Sequence, residues 1–391
     1  MDKLTRAAKI LQCSSIIVLC ASNADASSLE LYGQVNKTVV GYSDGVSQEV
    51  AFVDNNVSST RFGLRKTVDV DYGLTASVLY EGQLNNTSNS RNISQPLSGV
   101  APADPAPAEA RVRHARVGLS NHLGVLFIGH TSSASDGITE IDLGAVRDVL
   151  GPTPARFGAR LQFTNPDGSL SGLRMQQVVD AFEGVQFAGG SASDGTNAFG
   201  AGFTDRFNQV HYVSPTVGGL SFSTATIQGG DRDYALRYKN TFKTLGFKVE
   251  AGIAMVDYRQ LAPAAAGTNK VGEQFSGSAS VLFDSGHSTT VAYGRREYKQ
   301  RAAGIGLPQF YYIKQGYAWG GWEVAAEHGH YQNIDTTTPA NTTLYSYGLG
   351  LQRGLGHGVS AAAFGRLLDL DRTGTPTQPL YIYGLNLRVR F

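Results

Sequence analysis

The last eleven residues, Tyr381-Ile-Tyr-Gly-Leu-Asn-Leu-Arg-Val-Arg-Phe391, alternate between an oily row and a charged one. Tyr381, Tyr383, Leu385, Leu387, Val389 and Phe391 share one parity, and Asn386, Arg388 and Arg390 share the other. Successive side chains of a strand point to opposite faces, so this is an extended segment that separates an apolar surface from a wet one. In a soluble sheet the apolar row would pack on a core. In a membrane barrel it would meet lipid while the charged row lined a watery interior. The same period recurs elsewhere. Leu245, Phe247, Val249, Ala251, Ile253 and Met255 oppose Gly246, Lys248, Glu250, Gly252 and Ala254; Leu74, Ala76, Val78 and Tyr80 oppose Thr75, Ser77 and Glu81; Tyr345, Tyr347, Leu349 and Leu351 oppose Ser346, Gly348 and Gly350.

At the other end Lys3, Arg6 and Lys9 precede an apolar run from Ile10 to Ala21, followed by Asn23-Ala-Asp-Ala26. A basic start, a short apolar stretch and small residues at alternate positions predict a secretory signal cleaved after Ala26, so that 1–26 is a signal peptide and 27–391 the mature domain. A lipoprotein signal at Cys20 is the rival, with bulky Leu19 where a small residue is expected. The chain is then exported by the general secretory route. Its two cysteines, Cys13 and Cys20, both leave with the signal, so the mature protein has neither disulfide nor cysteine metal ligand. Removing 1–26 takes three basic residues from 33 and two acidic ones from 32, leaving 30 of each. A neutral chain has no global field for steering nucleic acid, and any electrostatic function is local.

After the signal there is no run of about 20 apolar residues, so membrane crossing could only be by strands. The 47 glycines, 18 tyrosines and a charged fraction of 17% suit many short strands joined by tight turns, with tyrosines in an interfacial girdle. Alternation bounded by turn residues predicts strands at 29–42, 48–69, 73–86, 110–120, 123–131, 206–215, 218–228, 231–241, 245–258, 271–284, 287–301, 308–319, 320–333, 343–354, 357–370 and 378–391. Connections near 69–72, 121–122, 216–217, 242–244, 285–286 and 355–356 are brief. The others are longer, above all 87–109 and 132–205. Short turns at one rim and long loops at the other predict an all-β fold, a transmembrane antiparallel β-barrel of about 16 strands.

A series of short motifs then resembles the Gram-negative trimeric porins with 16-stranded barrels, across the whole mature chain. It consists of Leu31-Tyr-Gly33, Ser59-Thr-Arg-Phe-Gly-Leu-Arg65, Arg113-His-Ala-Arg-Val-Gly-Leu119, Arg206-Phe-Asn-Gln-Val-His-Tyr-Val-Ser-Pro215 and the terminal Phe391. The resemblance implies an outer-membrane, water-filled channel for passive diffusion of small hydrophilic solutes and ions, built as a homotrimer. It also implies contact with outer-membrane lipid and lipopolysaccharide, and a last strand read by the barrel assembly machinery through Phe391. It further implies a third loop, here 132–205, folded into the lumen as a constriction. His130 stands where the family pattern has an arginine.

Within that loop lie nine acids (Asp136, Glu140, Asp142, Asp148, Asp167, Asp180, Glu183, Asp194, Asp205) and four arginines. Parity puts Arg61 and Arg65 opposite Phe62 and Leu64, toward the lumen, and the resemblance adds Arg113, Arg206 and His130 to the constriction. Loop acids Asp136, Glu140, Asp142 and Asp148 facing wall arginines would set a transverse field across the narrowest section. The plainer alternative is solvated loop acids and arginines paired with neighbouring carboxylates. Arg113 and Arg116 fall on opposite parities, which leaves the register of 111–120 open. For catalysis there is little: His328-Gly-His330 lacks a third metal ligand, and Gly348-Leu-Gly350 lies in a strand with no helix after it. No cofactor is expected. Competing functions are a substrate-selective channel on the same barrel and, further off, an outer-membrane barrel enzyme or adhesin.

Overall fold

The computed structural model describes residues 29–85, 89–95, 109–179, 206–259, 270–301, 303–304, 306–333 and 342–391. The signal segment with Ala26, most of 87–109, and the loop acids Asp180, Glu183, Asp194 and Asp205 lie outside them.

The strands are β1 (Leu29–Ser43), β2 (Gln48–Asp54), β3 (Arg61–Val70), β4 (Leu74–Asn85), β5 (Glu109–Asn121), β6 (Gly124–Ser132), β7 (Gln162–Thr164), β8 (Leu170–Arg174) and β9 (Arg206–Val213). They continue as β10 (Leu220–Ile227), β11 (Arg232–Phe242), β12 (Phe247–Asp257), β13 (Lys270–Phe283), β14 (His287–Gln300), β15 (Gln309–Trp319), β16 (Trp322–Gln332), β17 (Thr342–Gly356), β18 (Val359–Arg372) and β19 (Leu380–Arg390). β7 and β8 form a small hairpin inside the third long loop; the rest form the wall, each paired antiparallel with its chain neighbour. β6 pairs with β9 across that loop, and β1 pairs with β19, closing a 16-stranded barrel. The count is 16 because β2 and β3 are one wall strand. Both pair with β1, Ser43 opposite Gln48 and Leu29 opposite Lys66, and between them 55–60 leaves the wall. Alternation alone predicts a continuous strand at 48–69. The break occurs because Asn55 to Thr60 exchange ladder bonds for side-chain bonds inside the lumen, as described below.

Along the middle of the wall the outward row is the apolar one: Val78, Val117, Ile128, Leu236, Ile253, Leu349 and Leu385 are all exposed. At the short-turn rim Tyr317 stacks on Trp319 at 5.5 Å, and Arg353 lies 5.0 Å over Trp322, the amphipathic band that an interface with lipid headgroups favours. Near the long-loop rim the alternation inverts. In β18 Leu368 and Leu370 are buried inward while Asp369 and Asp371 are exposed outward. Phe310, Tyr331, Leu344, Phe364, Leu380 and Ile382 likewise point inward, into one apolar cluster with Val146, Val149, Leu150, Phe157, Leu161, Phe163 and Met175 of the third loop. One side of the lumen is therefore a packed core.

A test of the outward face follows. Leu387, 51% exposed, lies mid-strand on it, and Leu387→Arg is expected to lower stability by about 2–4 kcal/mol, measured as the unfolding midpoint in bilayers. Asn386, on the opposite parity, is no open lumenal position: it is buried and accepts a 2.7 Å bond from Asn55 Nδ2, so substitution there also disturbs packing.

Candidate functional site: the constriction

The third loop follows the inner wall around much of the barrel. Leaving β6, Ser135 donates from its backbone N and its hydroxyl to Asp233 Oδ2 on β11, each at 2.7 Å. Arg237 donates to the carbonyls of Ala134 (2.7 Å) and Asp136 (2.8 Å). Ser278 on β13 donates to the Ile138 carbonyl, and Thr290 on β14 donates to Asp142 at 2.7 Å. Lys314 on β15 forms a buried ion pair with Asp142 and donates to the Ala145 carbonyl at 2.9 Å. Val146 N then donates to Glu323 and Gly151 N to Glu327, both on β16. Finally Arg388 on β19 pairs with Asp148 at 2.6 Å, and Ser360 on β18 donates to the same carboxylate.

Small lumenal residues make room for this path. A side chain at Gly252 would meet Ile138 at 2.5 Å, one at Gly316 would meet Ala145 at 3.0 Å, and one at Gly350 would meet Val146 at 2.7 Å. Glycines that in sequence mark only the wet face of a strand thus form the bed of the loop. The inward detour 55–60 closes the ring: Gln34 Nε2 donates to the Ser58 and Ser59 carbonyls, Asn55 to the Asp148 carbonyl, and Arg156 to the Asn56 carbonyl. The described part of the second long loop packs on the same structure, Gln95 exchanging two bonds with the Gln162 backbone.

The facing wall is β3, β4, β5 and β9. Its register settles the open parity of 111–120. Glu81 lies opposite His114 while Gly82 lies opposite Val112, so Arg113 is the extra residue of a β-bulge. The bulge resets the alternation, and Arg113 and Arg116 both face the lumen, Arg116 over the ring of Phe127 at 3.7 Å. Around the single carboxylate Glu81 gather Arg113 (2.5 Å), Arg61 (3.6 Å) and the Tyr32 hydroxyl (2.9 Å). Arg206 approaches from β9, its Nε 3.3 Å from His114 Nε2.

The expected site residues fall into three groups. Arg61, Arg113 and Arg206 come together on the wall. Asp142 and Asp148 pair with Lys314 and Arg388 and not with those arginines, because the two wall cations offer them buried partners. Glu140 stays partly open, paired with Arg156 at 2.9 Å. Asp136 is enclosed near Arg206, and burial pushes its carboxyl above the usual carboxylate range. Two expected residues lie elsewhere. Arg65 is lumenal but sits an exposed turn nearer the short-turn rim, held by Glu30 in a two-point pair of 2.7 and 2.5 Å. His130 shares the outward row with Leu126 and Ile128, opposite Ala115 and Asn208, because register, unlike position in a motif, fixes the face. His328 and His330 also face outward, stacked on Tyr347 and Tyr345 at 4.8 and 4.9 Å.

Sequence reasoning missed Lys314, Glu327, Arg366 and His114. Lys314 lies on the lumenal face, between outward Ile313 and Gln315, and its partner lies 172 residues away, beyond the reach of local pattern. Between loop and wall lies a cavity of about 610 Å³, lined by Arg61, Arg147, Arg156, Arg366, Arg388 and Arg390 against Glu140, Asp142 and Asp148.

This architecture has known counterparts. An anion-selective porin from Comamonas acidovorans superposes with a TM-score of 0.60 at 16% identity, covering 93% of this chain and 99% of that one. The outer membrane protein OmpT of Vibrio cholerae, in its trimer form, gives 0.55 at 13% identity, covering 93% and 99%. The outer membrane channel DcaP of Acinetobacter baumannii gives 0.54 at 10% identity, covering 94% and 99%. No curated protein matches the sequence. The sequence profile of the Gram-negative porins matches residues 14–373. The barrel, the infolded loop and that match together make this chain a member of the Gram-negative porin family, an outer-membrane protein forming a water-filled channel for passive diffusion of small hydrophilic solutes.

Proposed function

We propose that this porin prefers anions. The observation that carries it is the imbalance at the constriction: two of the loop acids are spent on Lys314 and Arg388, while on the facing wall Arg61 and Arg113 share the one carboxylate of Glu81, and Arg116 and Arg206 stand beside them on Phe127 and His114. Low-dielectric walls focus such a field on the passage. The Comamonas acidovorans porin, anion-selective by its description, supports the reading by likeness of fold. In a salt gradient across a planar bilayer the zero-current potential is expected to have the anion-selective sign. Arg61→Ala should move it toward cation preference and raise conductance slightly, more so at low salt, since charges are screened over roughly 8 Å at physiological ionic strength. An Arg61→Ala channel indistinguishable from the parent at low salt would remove Arg61 from the passage. A substrate-selective channel for small anionic solutes is the second reading, favoured by the arginine-lined cavity. Block of chloride current by micromolar dicarboxylate or phosphate separates it from general diffusion.

The native assembly is proposed to be a trimer meeting through the outward face of β1 and β2. Lys37 and Asp54 form a 2.7 Å ion pair there, midway along β1, with side chains 48% and 6% exposed. An ion pair at mid-membrane is costly against lipid, and a neighbouring copy would cover it. Asp54→Asn is expected to lower the temperature at which the trimer dissociates; a monomeric mass for the active channel in mild detergent would overturn the assembly. Export by the secretory route, recognition of the last strand by the barrel assembly machinery and a surrounding annulus of lipopolysaccharide complete the proposal.

A further inference from the structure

We propose that His114 is a positioning residue of the constriction: as a neutral imidazole it holds the guanidinium of Arg206 in the passage without cancelling its charge. The proposal rests on the anion preference proposed above and names one residue that sets its strength.

The bulge at Arg113 turns His114 into the lumen, directly across from Glu81. Its Nδ1 lies 3.0 Å from Thr131 Oγ1 on β6, and its Nε2 lies 3.3 Å from Arg206 Nε on β9. A guanidinium nitrogen can only donate, so Nε2 is the acceptor. An imidazole that accepts at one nitrogen carries its proton on the other, which donates to Thr131. The charged groups facing the ring are Glu81 on β4, Arg113 and Arg116 on its own strand and Arg206 on β9, and Asp136 of the loop lies near that arginine. Glu81 is already shared by Arg113, Arg61 and Tyr32. Among the described residues the Arg206 side chain donates to His114 and to no carboxylate. A carboxylate at 114 would hold Arg206 as firmly but would neutralise it, and an imidazolium would have no lone pair with which to hold it. Of these three, the neutral ring alone both holds the guanidinium and leaves its positive charge for a passing anion.

The test is the chloride-to-potassium permeability ratio of the purified porin in planar bilayers. Arg206→Leu is expected to lower the ratio about fourfold: one unit charge roughly 10 Å away in water carries a Boltzmann factor of about two, which the anion loses and the cation gains. His114→Leu should lower it in the same direction, His114→Asn, which keeps an acceptor, should restore it, and His114→Leu added to Arg206→Leu should change nothing more. In Asp136→Asn, which removes the raised loop carboxyl as a second titrating group, the ratio should stay flat from pH 8 to pH 5. An increase in anion preference with a midpoint near 6 would show a ring that titrates freely and overturn the proposal, as would a His114→Leu effect that persists without Arg206. Heat-modifiable mobility of each variant checks that the barrel has folded; should His114→Leu fail, His114→Asn and the pH profile still decide. A wild-type channel with no anion preference would overturn the earlier reading alone, because coupling between positions 114 and 206 can be read from the ratio whatever its sign.

Discussion

Glu327→Leu is expected to lower the stability of the barrel by about 3–5 kcal/mol, as breaking one side of a buried ion pair does, and to raise single-channel conductance. Glu327 and Arg366 lie on the lumenal faces of β16 and β18, with side chains 2% and 1% exposed. One carboxylate oxygen of Glu327 accepts from Arg366; the other accepts from the Tyr312 hydroxyl at 2.7 Å and from Gly151 N of the loop at 2.8 Å. Leucine leaves a buried guanidinium without a counter-charge, and a hydroxyl and a loop N–H without an acceptor. Stability falls for the first reason, and the loop loosens for the second. Lys239→Ala is the matched control: its pair with Glu250 is solvent-exposed and worth less than about 1 kcal/mol. Denaturant midpoints and conductance histograms of the two variants make the measurement. Unchanged conductance in Glu327→Leu would mean that the loop is held by its apolar packing, and Gly350→Leu, which drives a side chain into Val146 and Leu150, would then be the variant that opens the channel.

The second large effect is expected at the seam. Phe391 N donates to the Gly33 carbonyl at 3.0 Å and Gly33 N to the Phe391 carbonyl at 2.9 Å, so the last residue and the first strand close the barrel by a reciprocal pair. The Phe391 ring occupies the space above Gly33: a Cβ there would lie 2.6 Å from the ring and 3.0 Å from the Arg61 carbonyl. Gly33→Val therefore overfills the seam, at a cost of about 1–3 kcal/mol, while leaving the terminal aromatic available for recognition. Deleting Phe391 removes the seam and, with it, the proposed recognition signal. Folded, heat-modifiable protein in the outer-membrane fraction should fall sharply for the deletion. For Gly33→Val it should fall in part, with the remainder unfolding at lower temperature. A deletion variant present at normal level would show that Phe391 is not the address, and a fully stable Gly33→Val would show that its ring does not need that seat.

The wall was legible because a two-residue period needs only local sequence. Each outward valine or leucine fixes the face of its neighbours, and turn residues punctuate the rest, which is why the strand positions and their number could be read before the fold was known. The loop's place in the lumen came from resemblance, and its charges could be counted but not paired. Asp148 finds Arg388 at a separation of 240 residues, and nothing near either one in the chain announces the other.

What the sequence by itself determined is the set of strands and the face that each turns outward along the middle of the wall. Only the tertiary structure decided what lies inside. Parity propagates along a strand until one residue is inserted or the ladder breaks, and the bulge at Arg113 and the detour at 55–60 do these two things at the constriction itself. Ile382, Leu368 and Leu370 carry apolar side chains on the wet parity, and they are buried because the third loop lays Val146, Leu150 and Phe157 against that side of the barrel. Which carboxylates face the passage and which face the wall depends on the strands the loop happens to cross, a property of closure and packing that no local period encodes.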